Sequence, residues 1–378
     1  MKKIYTLTAF LILFIGFAQE TQKSTNFNAT ANIPAGYYNS ATGTGFVLKT
    51  QLYTKINPHT IIVYGSGLWN LYQTSDVRPD GFVWDIYSTC NFVFGTVASG
   101  GNQDDGTLGT VECQRFNKEH TFPKSWFGAV SGSAMYSDAF HVMPSDKKDN
   151  GARGSLAYGM VGAPTYTTSN GSKIGTCSTP NYPYTLKVFE PADEFKGDIA
   201  RNYFYMATCY ENAIGSWQTL DTTGSGDTVL DGSNDNVFEP WFLNMLLIWH
   251  NQDPVSQKEI DRNNAIYAVQ GNRNPYIDHP EYVCQIWSTA CANMNVNSLE
   301  FASISVYPNP SNEHKINIDS QIAVDDIQLI NTNGQLMLEV KKPVFNNNSF
   351  TLENLPQGFY FLKLSSNNQS LTKKVIIN

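Results

Sequence analysis

Phe116-Asn117-Lys118-Glu119-His120-Thr121-Phe122-Pro123-Lys124-Ser125-Trp126-Phe127 is followed by Asp138-Ala139-Phe140-His141-Val142-Met143-Pro144-Ser145-Asp146, and then by Asn150-Gly151-Ala152-Arg153-Gly154. Glu119 and His120 are neighbours, so on a regular strand their side chains leave opposite faces; at a strand end or bend both border one site. A hard cation takes oxygen ligands and keeps several waters, so Glu119 and the Asn150 side-chain carbonyl serve without a full protein cage. An imidazole beside such an ion is suited to activating water near neutral pH.

Working outward, further segments follow in order. They are Phe189-Glu190-Pro191-Ala192-Asp193-Glu194-Phe195-Lys196-Gly197-Asp198-Ile199-Ala200-Arg201, then Tyr205-Met206-Ala207-Thr208, then Trp249-His250-Asn251-Gln252-Asp253-Pro254-Val255-Ser256. Asn263-Asn264-Ala265-Ile266-Tyr267 and Gln270-Gly271-Asn272-Arg273-Asn274-Pro275-Tyr276-Ile277-Asp278-His279-Pro280 complete the series. Together these resemble the bacterial secreted endonuclease I family, a branch of the ββα-metal (His-Me finger) nucleases, over roughly residues 33–287.

The resemblance implies that Glu119 and Asn150 ligate a metal and that His120 deprotonates the attacking water. Magnesium is the expected cofactor, with manganese or calcium as alternatives. The product would carry 5′-phosphate ends, and sequence preference would be slight, because phosphates and sugars carry no base code. The chain departs from the family at Phe140, where many relatives have His. No Arg lies between His120 and Asn150, where some relatives hold the cleaved phosphate. Arg153 is the first replacement expected in the catalytic site; Lys124, Lys147 and Lys148 are the other candidates for substrate binding. DNA is the expected partner, with RNA as a second substrate.

The C-terminal 76 residues, 303–378, have a different character, with six Lys balanced by six Asp or Glu. Short alternating runs at residues 304–306, 315–318, 327–330, 335–340, 349–352, 358–364 and 374–377 are separated by Asn-, Ser- and Gly-rich turns, the pattern of a small β-sandwich. Tyr307-Pro308-Asn309-Pro310, Leu355-Pro356-Gln357-Gly358-Phe359-Tyr360 and Lys373-Lys374-Val375-Ile376 resemble the type A sorting domain of the type IX secretion system. That implies outer-membrane passage and an encounter with the secretion machinery. At the other end, Lys2 and Lys3, an uncharged apolar run from Leu7 to Phe17 and the exit at Ala18 read as a signal peptide for the Sec pathway. The expected organisation is therefore signal peptide 1–18, flexible polar segment 19–32, catalytic domain 33–302 and sorting domain 303–378. The fold class is α+β: a mixed nuclease domain around a ββα-metal core, then an all-β sandwich. A secreted or cell-surface monomer without a membrane span in the mature chain is expected.

Export permits disulfides. Six Cys allow fifteen complete pairings, of which Cys284 with Cys291 closes a small loop. Helices are expected over residues 196–212, where Ile199, Tyr203, Phe204, Met206 and Tyr210 recur at helical spacing, over 237–249, and from Pro254 onward. Residues 216–236 read as a surface loop or insertion. Trp126, Trp241 and Trp249 are expected in the core, and His250 with Asp253 at a capping junction. Arg273, Asp278 and His279 are expected in a loop packed back on the domain, and His141 either in the core or behind the site. His59 and His314 suggest no role.

The chain has 378 residues, 41% hydrophobic and only 15% charged, with 22 Phe, 20 Tyr and 7 Trp, enough aromatic area for a sizeable core. Net charge is −8, and residues 19–302 alone hold 17 basic and 27 acidic groups. A global basic field for nucleic acid or membranes is thereby excluded, and a polyanion would need local positive charge. Two other classes stay open on sequence alone: a surface nucleic-acid-binding module that lost its chemistry, and a small-molecule phosphodiesterase.

Overall fold

The computed structural model describes residues 33–221, 223–294, 304–320, 322–366 and 369–378. The signal peptide and polar segment expected over residues 1–32, and the domain junction at 302–303, lie outside these. Two large apolar cores form, one from residues between Tyr37 and Cys291, the other from residues between Ile304 and Ile377. Among the described residues no helix is long and apolar enough to cross a membrane.

In the first part, helices α1 (Gly45–Ile56) and α2 (Ser66–Ser75) precede a long irregular stretch that ends at strand β1 (Phe116–His120). A disulfide between Cys90 and Cys113 ties that stretch to itself. Strand β2 (Val142–Asp146) pairs antiparallel with β1, Phe116 opposite Asp146 and His120 opposite Val142, and runs directly into helix α3 (Lys147–Arg153). Strands β3 (Val161–Thr167), β4 (Lys173–Cys177) and β5 (Lys187–Glu190) make a three-stranded antiparallel sheet.

The centre is helix α4 (Lys196–Cys209), in which every residue from Gly197 to Cys209 is buried. A helix apolar or paired on all sides must be packed on all sides. Tyr203 packs on Phe122 and Phe242, and its hydroxyl donates to the Thr121 carbonyl at 3.0 Å; Phe204 faces Tyr276 and Trp287. Gly197 is needed where α4 begins, since a Cβ there would sit 2.0 Å from the Asp253 carbonyl oxygen. Arg201 is buried in the middle of α4 and forms a two-pronged pair with Glu259, at 2.5 and 2.8 Å.

Helix α5 (Pro240–Gln252) starts three residues later than the apolar run, because Pro240 occupies its first position. Helix α6 (Gln257–Gln270) does not open at Pro254. Ser256 caps it through a reciprocal capping box with Glu259, the stronger start signal. Asp253 has the expected capping duty, its Oδ2 accepting from the Gly197 amide at 2.8 Å. Helices α7 (Pro275–Asp278) and α8 (Tyr282–Ile286) follow, with Arg273 paired to Asp278 at 2.6 Å. Trp126, Trp241 and Trp249 are core residues. The stretch 216–236 is irregular, yet it buries Trp217, Val229 and Leu230 and so is part of the core wall. Cys284 and Cys291 are bonded as expected, while Cys177 and Cys209 are free, so the six do not pair completely.

The C-terminal part has all seven strands expected from its alternation: β6 (Ser305–Tyr307), β7 (Ile316–Asp319), β8 (Asp326–Asn331), β9 (Leu336–Lys341), β10 (Ser349–Leu352), β11 (Gly358–Ser366) and β12 (Gln369–Ile377). They form one sheet in the order β10-β7-β6 and another in the order β12-β11-β8-β9. Inward Ile316, Ile318 and Leu352 meet Ile327, Leu329, Leu362 and Leu364 between the sheets.

His250 on α5 is buried beside Arg201, whose Nη1 lies 3.5 Å from its Nδ1; burial first, then that charge, push its pKa down to about 4. In the unfolded chain an imidazole titrates near about 6.5. Its neutral form thus contributes stability fully above about pH 6.5, and this is lost as the pH falls toward about 4, by about 2–3 kcal/mol. Urea unfolding of the protein and of His250→Gln at about pH 7 and about pH 4.5 should show the variant gaining relative stability in acid. An unchanged difference between the two pH values would rule the effect out.

Candidate active site

The ββα unit is assembled by side chains at its corners. Asp146 ends β2 and caps α3, its carboxylate accepting from the Lys148 and Asp149 amides, while Asp85 accepts from the Asp146 amide at 3.0 Å. Gly154 ends α3 with φ +54°, a backbone that glycine adopts readily, and turns the chain away from the helix axis. Asn150, within α3, faces β1. Its Nδ2 donates to Asn117 Oδ1 at 2.8 Å and to the Lys118 carbonyl at 3.3 Å, which leaves its Oδ1 directed away from the strand.

Glu119 is 2% exposed. Its Oε1 accepts from Tyr87 and from Arg153 Nη1, both at 2.7 Å, and among the described residues no hydrogen bond engages Oε2. Burial raises the carboxyl pKa, opposed by Arg153 and by the Tyr87 hydrogen bond. Arg153 itself is 1% exposed and fully committed. Besides Glu119 it donates to the carbonyls of Leu156, His120 and Thr121 at 3.1, 2.9 and 3.0 Å, with the guanidinium 4.5 Å from the Tyr158 ring centre. The structure therefore differs from the expected phosphate contact. Arg153 has no donor facing the cleft, and it positions Glu119 and the end of β1.

His120 closes β1, so it and Glu119 border one cleft despite being neighbours. Its Nε2 lies 2.9 Å from the Tyr136 carbonyl, which can only accept, so Nε2 carries the proton and Nδ1 keeps its lone pair. Burial, then the charge of His141, push the pKa well below the usual imidazole value, so the ring is neutral at physiological pH. Tyr64 stacks on it at 5.6 Å, and Phe127 and Tyr136 complete the aromatic collar. His141 is fully buried, 5.5 Å from His120 ring to ring, and its Nε2 donates to the Met135 carbonyl at 2.6 Å; it packs behind the site. The loop before it is fixed by Asp138, which accepts from Tyr205, Tyr210 and Gln270 at 2.7–2.8 Å. His59 reaches this same network, 3.6 Å from Asp138.

The cleft is about 440 Å³ in volume. It brings together Glu119, His120, Lys124 and Asn150 with Tyr64, Trp69, Asp104, Asn117 and Lys118. Lys147 and Lys148 do not line it: Lys147 pairs with Asp104 at 2.8 Å and so cancels a carboxylate at the rim, and Lys148 lies over Tyr166. Lys118 escaped the sequence reading, although it stands two residues before His120 and so on the same strand face. Burial pushes its pKa down to about 8, and its ammonium lies 3.4 Å from the Trp69 ring centre. The two free oxygens, Glu119 Oε2 and Asn150 Oδ1, are the donor types a hard divalent cation takes, so the residues present fit such an ion.

The Endonuclease I family model matches residues 44–281, a span that contains every element of this cleft. The chain belongs to the endonuclease I family. A second family model, the secretion system C-terminal sorting domain, matches residues 305–378. Extracellular ribonucleases of Bacillus amyloliquefaciens and Bacillus subtilis (strain 168) are 34% and 35% identical over 257 residues, which is 66% of this chain and 78% of each relative. Endonuclease-1 of Buchnera aphidicola subsp. Baizongia pistaciae is 28% identical over 140 residues, 37% of this chain and 45% of that relative. The chain is thus a secreted nuclease of this family with a C-terminal sorting domain.

Removing Arg153 from the nuclease leaves the Glu119 charge buried and unpaired, a loss of about 3–5 kcal/mol. Arg153→Met should therefore lower the urea midpoint strongly. A variant that folds with native stability and shows only a raised KM would instead mark Arg153 as a substrate contact.

Proposed function

We propose that this protein is a metal-dependent endonuclease that hydrolyses phosphodiester bonds of DNA and RNA with little sequence preference, leaving 5′-phosphate ends. The observation that carries the reading is the tautomer of His120: its proton is held on Nε2 by the Tyr136 carbonyl, and its lone-pair nitrogen shares a cleft with two uncommitted oxygen donors. Glu119 and Asn150 would hold the cation, magnesium by preference with manganese or calcium as substitutes. A divalent ion bound there supplies neutralisation of charge building on the phosphoryl and leaving oxygens.

The rest falls to the chain. Nδ1 of His120 takes a proton from water placed opposite the 3′-oxygen, and the aromatic collar excludes bulk solvent that would compete for that proton. Arg153 fixes one oxygen of Glu119 so that the other faces the cleft, and Asn117 fixes the Asn150 amide. Lys124 offers positive charge to the substrate backbone. Relatives named extracellular ribonuclease support RNA as a substrate, relatives named endonuclease support internal cleavage, and backbone contacts alone give no base preference. Export through the Sec pathway, then passage of the outer membrane by the type IX machinery that reads residues 303–378, would deliver a monomeric enzyme to the cell surface or medium.

Plasmid DNA and a long RNA should each be cut in magnesium and left intact in EDTA. His120→Ala should fall about 10²–10⁴-fold in kcat, the usual share of a positioned general base, while it still unfolds cooperatively at a lower urea midpoint because the ring is buried. Undiminished cleavage in EDTA, or by a folded His120→Ala protein, would overturn this mechanism.

A further inference from the structure

Two cations line the cleft, Lys118 and Lys124, and they stand in different places. Lys124 lies 5.6 Å from the Tyr136 ring, beside the residue whose carbonyl holds His120. Lys118 is carried by β1 on the face of His120, two residues back, a rise of about 6.6 Å along the strand. Its ammonium rests on an aromatic wall, 3.4 Å from the Trp69 ring centre and 5.0 Å from that of Tyr64, and Tyr64 in turn stacks on His120. Among the described residues no carboxylate lies within ion-pair distance of it. The ammonium is therefore partly stripped of water, seated on ring faces with the Asp104 charge nearby, and set apart from His120 by the Tyr64 ring that stacks on it. A cation over an aromatic face is stabilised by the ring's charge distribution but keeps its N–H donors available on the open side.

Resting on the nuclease reading above, we propose that Lys118 is the binding site for the phosphate next to the scissile one, so that the cleft selects a polynucleotide backbone over an isolated phosphodiester. Such a contact acts on binding of the strand rather than on the chemical step, and it adds one released counterion to the salt dependence.

The test is a cycle between the lysine and the substrate phosphate. Cleavage at one linkage of an oligonucleotide, read from product length, is compared when the neighbouring linkage on either side is a phosphate or an uncharged methylphosphonate. For the native protein the uncharged neighbour on one side should slow cleavage about tenfold, the scale of one charge-assisted hydrogen bond. Lys118→Gln should lose about as much on the all-phosphate strand, mainly through KM, and become indifferent to the methylphosphonate. Lys118→Arg should regain sensitivity to the neighbour, and the slope of log kcat/KM against log salt should flatten by about one unit in the Gln variant. If the two losses multiply, or Lys118→Gln cuts the native strand at full rate, the assignment is wrong. If the native protein cuts no linkage at all, the nuclease mechanism itself fails, and this subsite with it.

Discussion

A single buried ion pair organises the site. Arg153 closes α3 and Glu119 sits near the end of β1, so their contact at 2.7 Å joins the two elements that carry the uncommitted oxygens. Breaking a buried pair costs more than making it gains, since the survivor keeps its desolvation penalty. The guanidinium is held further by three carbonyls, those of His120 and Thr121 at the end of β1 and that of Leu156 after α3, and Tyr87 and Tyr158 share a hydroxyl contact of 2.6 Å behind the pair. That density of partners fixes the direction of Glu119 to within a side-chain rotamer. One carboxylate oxygen is consumed as structure and the other is left without a hydrogen-bond partner among the described residues, so the cleft and the fold draw on the same group.

The imidazole is governed by a second constraint of the same kind. A histidine in water exchanges its proton between two nitrogens, and half of those states would be useless as a base toward the cleft. The Tyr136 carbonyl removes the ambiguity, and it can do so because residues 134–141 are held from below. Asp138 gathers two tyrosine hydroxyls from the neighbourhood of α4 and the Gln270 amide from the end of α6, and Arg262 from α6 donates to the carbonyl of Ala139 at 2.6 Å. The buried helix α4 is thus connected to the cleft without contributing a side chain to it. Only Tyr205 of the helix reaches that loop; its other polar residues are paired within the core, Asp198 with Lys258, Arg201 with Glu259 and Thr208 with Tyr276.

Legibility in the sequence followed the range of the interaction. Local signals are readable, the alternation of the seven tail strands and the helical spacing of Ile199, Tyr203, Phe204 and Met206, whereas the grouping of Glu119, His120 and Asn150 comes from the family resemblance. Interactions between distant residues are not readable. Arg153 is a cation near a proposed anion site, and nothing in its neighbours shows that Glu119 and the carbonyls of His120, Thr121 and Leu156 already engage all three of its nitrogens. The alternation of β1 puts Lys118 on the face of His120, but its partners Tyr64 and Trp69 lie on the other side of a long irregular stretch and leave no mark near it. That stretch, residues 76–115, has no hydrophobic period; a disulfide and side-chain-to-backbone bonds such as Asp85 to Tyr87 define it instead. The false start at Pro254 was a contest between two local signals, won by the Ser256–Glu259 box, whose glutamate is also clamped by Arg201.

The charge of the chain sets how such a cleft can meet a polyanion. With 17 basic against 27 acidic groups in residues 19–302, the field felt at a Debye length of about 10 Å repels a nucleic acid strand. Within the cleft the balance is nearly even, Lys118 and Lys124 against Asp104 and Glu119, and Lys147 removes Asp104 from that balance by pairing with it. Attraction therefore begins only at contact, where low dielectric makes each charge count for more than it does at the surface. An ammonium seated on indole and phenol faces is already partly desolvated, so engaging a phosphate costs it little further hydration. A strand held by a few short-range charges is retained only while those contacts are made. The acidic surround then opposes rebinding of cut fragments, which suits an enzyme whose substrate is long and whose products are short.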